Sequence, residues 1–157
     1  MDGLSVASSV AGLIQLSGKI ISIISATAVA SSTARSVLAK AHGFQGILTQ
    51  LQVFITNFEE ESDDQRSMIY VEQLVATLTD CVCAFSELDR VLESLNKKVA
   101  GSRLGLWDSA KWALKDSDIG RILGELQKHK NSLALMMMII TWCAIVLFQL
   151  DVAVIPG

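Results

Sequence analysis

Turn-forming residues are scarce in this chain. One proline and ten glycines among 157 residues leave long stretches without punctuation, and period-two alternation lasts no more than four residues outside the tail Val152–Ile155. Architectures made of many short strands are thereby disfavoured. Histidine occurs twice, as His42 beside Gly43 and as His129 between Lys128 and Lys130, and no cysteine or serine nucleophile has a histidine partner nearby in sequence. The patterns C-x-x-C, H-x-x-x-H and E-x-x-H do not occur, so no metal-ligand set is legible. Nor does G-x-x-x-x-G-K-[ST], the phosphate loop of a nucleotide switch. The expectation is a non-enzymatic chain with no catalytic residues, no metal, no cofactor and no small-molecule substrate.

Three cysteines are an odd and small set. Cys81 and Cys83 are two apart, which on a helix points them to different faces, so they form no metal clamp. Cys143 lies in an apolar run. Without a disulfide framework, a reducing cytoplasmic setting is expected.

What is present is hydrophobic and helix-favouring. Half the residues are apolar (51%) and 18% are charged, greasier than an average soluble domain. The excess asks for a partner, a membrane or a longer context. The net charge of −3 is unevenly spread: residues 57–95 carry ten acidic and two basic side chains, residues 96–130 eight basic and four acidic. Two solvated helix faces that attract one another weakly account for this. A patch for anionic lipid is the sharper alternative. Nucleic acid is not expected, because the basic residues lack interleaved aromatics and the whole chain is acidic.

Four long amphipathic segments carry the apolar residues at steps of three and four. In the first, residues 3–30, Val6, Val10, Leu13, Ile14, Ile20, Ile21 and Ile24 share one side. Small polar residues share the other, with Lys19 as its one firm charge. A secretory signal is rejected: there is no basic start, Asp2 is acidic and Lys19 interrupts the apolar run, although Ala28-Val29-Ala30 mimics a cleavage site. Ser31-Ser32-Thr33 offers N-cap chemistry for a second helix to about Phe58, with the stripe Val37, Ala41, Phe44, Leu48, Leu51, Ile55 and Phe58. Gly43 and Gly46 weaken it, each by roughly 1 kcal/mol against alanine. The run Glu59 to Asp64 reads as a solvated loop. The third helix, about 66–98, shows the strongest pattern: a core seam through Leu74, Leu78, Val82, Phe85, Leu88 and Leu92, extended by Val71, Val75 and Leu95. Gly101, Gly105 and the aromatics Trp107 and Trp112 suggest a short extra helix near residues 106–114. Asp116 or Ser117 would then cap a last helix that packs Ile119, Ile122, Leu123, Leu126, Leu133, Met137 and Ile140 inward.

Two segments are membrane candidates. Ser132–Leu150 has 19 residues and no charge, the length of a transmembrane helix. The first helix has the composition of an amphipathic or insertable segment, with only Lys19 to snorkel.

Three pieces, in order, carry a resemblance: MDGLSVASSVAGLIQLSGKI at the start, QLVATLTDCVCAFSELDRVLESL at Gln73–Leu95, and Lys111-Trp112 followed by IGRILGELQKHKNSLALMM at Ile119–Met137. Together they resemble the fungal N-terminal domain that heads STAND/NLR-type proteins and also occurs in a protein of azaphilone-pigment clusters. The resemblance covers roughly residues 1–140. The stretch KWALKD is less basic than is usual for the family. After Trp142, CAIVLFQLDVAVIPG departs from its pattern and is expected to be a divergent terminus or translated intron sequence.

The resemblance implies a HeLo-like helical bundle acting in signalling or membrane perturbation. The expectations are therefore these. The fold is all-α, an up-down bundle of four main helices with a short extra helix. Residues 1–142 form the domain and residues 143–157 an apolar tail. The first-helix face is the candidate surface for self-association or an anionic membrane, and protein partners, self-association and a cytoplasmic, membrane-associated location follow. The alternative is a small bitopic membrane protein anchored by residues 132–150.

Overall fold

The computed structural model describes residues 3–26, 31–58, 71–97 and 109–153. They form an all-α bundle of four helices: α1 (Gly3–Ser25), α2 (Ser32–Phe58), α3 (Val71–Lys97) and α4 (Ser109–Ala153). The start of α2 is capped as its sequence indicates. Ser31 Oγ accepts the Ala34 backbone N–H at 3.0 Å, satisfying one of the donors that a helix start leaves free.

All four helices are built on one seven-residue repeat. The buried positions are 6, 10, 13, 17, 20 and 24 in α1, 34, 37, 41, 44, 48 and 51 in α2, and 74, 78, 81, 85, 88, 92 and 95 in α3, with Ala84 beside Phe85. In α4, positions 112, 119, 126, 133 and 140 are buried, with 122 and 123 between them. Steps of three and four keep such seams facing a partner along their whole length, the geometry of helices crossing at about 20°. The seams close on one core, at whose centre the Phe44 and Phe85 rings meet edge to face, centroids 5.0 Å apart at 87°.

The helices alternate in direction. Thr33 bonds Asp116 and Lys40 bonds Gln127, so α2 and α4 run parallel. Arg121 pairs with Glu87, while Asp80 and His129 line one groove from its two sides further along, so α3 and α4 run antiparallel. Each helix packs on two neighbours: α1 on α2 and α3, α4 on α2 and α3. Around the bundle the order is therefore α1, α2, α4, α3, and the step from α2 to α3 crosses a diagonal.

Three expectations are corrected. Val82 is not a core residue: it is 38% exposed, and Cys81 takes the buried position. Between Leu78 and Phe85 the repeat can step four then three or three then four, and the structure steps three then four. The short helix expected near 106–114 is not separate. Residues 109–114 are the first turns of α4, anchored by buried Trp112, and residues 106–108 lie outside the described residues. Asp116 and Ser117 consequently sit inside α4 and cap nothing; Asp116 accepts a hydrogen bond from Thr33 instead. The first helix ends at Ser25, and Val152 and Ala153 close α4 as helix. The expected helical residues 66–70 and 98 and the acidic run 59–64 also lie outside the described residues.

Gly46 lies on the exposed side of α2, and a Cβ there would meet nothing within 4 Å. Its φ is not positive, so glycine brings no conformational benefit. Gly46→Ala is expected to raise the unfolding free energy by about 0.5–1 kcal/mol through helix propensity alone, read as a shifted denaturant midpoint with an unchanged slope.

Candidate functional site

The α1 face singled out by the sequence is folded inward. Val6, Val10, Leu13, Ile20 and Ile24 are buried, while Ile14 and Ile21 are half-buried against the same core. Val6–Ser25 is long and apolar enough to cross a membrane by length and composition, and so is the uncharged run 132–150 within α4. The seam has one polar member that sequence reading passed over, Ser17. It is fully buried, and its hydroxyl donates to the Ile14 carbonyl at 2.9 Å, so its polarity is satisfied within its own helix. The repeat itself, four on from Leu13 and three before Ile20, was the signal that could have placed it inside.

Lys19, the one charge of α1, is exposed but not unpartnered. Its ammonium reaches Asp89 of α3 at 2.6 Å and Glu93 at 3.5 Å. The hydrogen bond from Lys19 to Asp89 is the main cause that raises the lysine pKa above its ordinary 10.5, against desolvation, which lowers it. The second Asp89 oxygen is buried and unpaired. Asp89 therefore depends on Lys19 for its compensation, and the pair fixes α1 in register on α3.

On the opposite side a groove of about 450 Å³ runs between α3 and α4, lined by residues including Asp80, Cys83, Glu87, Arg90, Glu125 and His129. Cys83 lines it from α3 and His129 from α4, a juxtaposition that sequence distance hides. Lys128 hydrogen-bonds Glu125 at 2.8 Å and holds its carboxyl below the ordinary range. Cys81, the neighbour of this groove in sequence, is buried in the core, and burial pushes its thiol up to about 12. It is a packing residue rather than a nucleophile. Among the described residues no group of three or more His, Cys, Asp or Glu side chains is placed to hold a metal ion.

A third feature is the outer face of α4. As expected, Ile119, Ile122, Leu123, Leu126, Leu133 and Ile140 are buried and Met137 is half-buried. Beyond Ile140 every described side chain is exposed, Trp142 by 66%. The helix continues unbroken from residue 142 into the tail.

No family model matches this chain, and neither does any curated protein or solved structure.

Proposed function

We propose that this chain is a non-enzymatic signalling and interaction module whose α1 segment is stored in the bundle and acts on an anionic membrane when released or clustered. One observation carries the reading: α1, a segment of membrane-compatible length and apolarity, has its apolar face packed against α2 and α3 and its single charge clasped by Asp89 and Glu93. A helix built merely to fill a core has no need of a nearly uncharged outer face. The Ser8, Ser9, Gly12, Gln15 and Ser22 side of α1 lets the same segment lie at a lipid interface, where apolar burial contributes about 25 cal/mol per Å². The resemblance to the fungal N-terminal domains of STAND/NLR-type proteins supports the same reading, and a cytoplasmic, membrane-associated location belongs to the proposal. Protein partners and self-association belong to it. The alternative is an anchor over residues 132–150, which would draw the buried Leu133 and Ile140 out of the core.

The test is a peptide of residues 1–30 mixed with dye-loaded anionic liposomes, beside the same peptide carrying Leu13→Asp and Ile20→Asp. Leakage is expected from the native peptide and is expected to be lost in the doubly charged one. Equal leakage from both, or none from either, overturns the membrane reading and leaves an interaction module. The intact bundle is expected to bind weakly, since its α1 face is occupied.

A further inference from the structure

We propose that the outer face of the C-terminal half of α4 is the docking surface for a second copy of this chain. The face lies on the side of α4 opposite the buried seam, and its character changes abruptly along the helix. From Ser117 to Asn131 it presents the exposed residues Ser117, Arg121, Gly124, Lys128 and Asn131, with the exposed Leu114 one step before them. From there on it presents Leu135, Met138, Trp142 and Ile145, all exposed. A surface that owed its apolarity to general greasiness would not switch at one turn.

The spacing is that of a helix seam. Positions 135, 138, 142, 145, 149 and 152 advance by three and four, with Gln149 as the one polar member, and Ile139 and Val146 flank them. This is the same repeat that packs the four helices inside the bundle, continued on the outside where none of the described helices covers it. A partner helix reads such a register; lipid has none to read. The amount of surface fits as well. Eight exposed large apolar side chains lie between Leu135 and Val152, and at around 100 Å² each they offer roughly 800 Å², one side of a stable protein interface and more than the usual apolar patch of a monomer. Because the face points away from the bundle, two copies can join it to itself about a two-fold axis with both bundles outside the contact.

A membrane is the weaker occupant. Residues 141–153, the part of α4 beyond its last buried side chain, rise only ~20 Å against a hydrocarbon core of ~30 Å.

The experiment is sedimentation velocity of the full chain from about 1 to 100 µM, with Leu135→Glu/Trp142→Glu as the variant, Ile145→Lys as a second, and Trp142→Leu as the conservative control. The native chain and the control are expected to sediment at twice the 17.0 kDa monomer mass. Either charged variant is expected to weaken the dimer by about 100-fold or more, with an unchanged far-ultraviolet helix signal because these side chains lie outside the core. A native chain that is monomeric throughout, or dimers that persist in both helical charged variants, overturns the proposal. So does a monomer that floats with zwitterionic vesicles through the same side chains. None of these outcomes touches the α1 peptide result, so the two readings fail separately.

Discussion

Phe85→Ala is expected to remove about 3–5 kcal/mol of stability, a drop in melting temperature on the order of 10 °C for a chain of this size. Phe85 is fully buried on the inner seam of α3, and its ring stands edge-on to Phe44 of α2 across the diagonal of the bundle. Truncation therefore loses the transfer energy of a ring, opens a cavity where four helices meet, and forfeits the aromatic pair, itself worth about 0.5–1.5 kcal/mol beyond its area. Leu78 and Leu88 close the site along the same seam, and neither can swing into a ring-sized void without leaving its own contacts. The contrasting change is Val82→Ala, expected to stay within about 0.5 kcal/mol because Val82 faces outward. A Phe85→Ala variant melting within a degree or two of the native chain, or a Val82→Ala variant as unstable as Phe85→Ala, would mean that the inner face of α3 is another one.

That pair of residues also shows where the sequence was legible. The seams of α1, α2 and α4 could be read almost residue for residue, because apolar side chains recur at helical spacing and nothing else competes for the pattern. In α3 a valine and a cysteine compete for one position, and hydrophobicity favoured the valine. The decision belongs to the phase of the repeat across all four helices, a tertiary property. The unbroken start of α4 was hidden for a similar reason. Asp116 and Ser117 have N-cap chemistry, yet the helix passes through them because Trp112 is buried one turn earlier and Thr33 of α2 occupies the Asp116 carboxylate. Local capping propensity lost to packing. The Lys19–Asp89 clasp could not be read at all, since 70 residues separate its members and no local pattern points from one to the other. The outer stripe of α4 was visible as an apolar run, but its division into an inner seam and an exposed face appears only once the bundle is assembled.

Leu13→Asp in the full chain is expected to abolish cooperative folding. Leu13 is fully buried in the middle of α1, and among the described residues no cation stands inside the core to receive a carboxylate. An isolated buried charge costs more than the total stability of about 5–15 kcal/mol that a domain possesses, so the aspartate must be protonated, solvated or expelled. Expulsion means releasing α1, and that is not a local event. The side of the core that α1 covers belongs to α2 and α3, whose Val37, Ala41, Leu78 and Leu88 are fully or almost fully buried in the native bundle. Detaching α1 would wet that side and leave Asp89 without Lys19. The expected result is therefore a loss of helix signal larger than the 23 residues of α1 can account for, with a broad transition in place of a sigmoidal one. Gln15→Asp, two residues along on the exposed side, is expected to melt like the native chain. If Leu13→Asp instead lost only the α1 share of helix and still melted cooperatively, α2, α3 and α4 would hold together without it. The α1 segment would then be far easier to release than its burial implies. The expected global collapse has the opposite consequence: in the proposed signalling role, α1 leaves the bundle only when its replacement, a membrane or another copy, is already at hand to cover what it exposes.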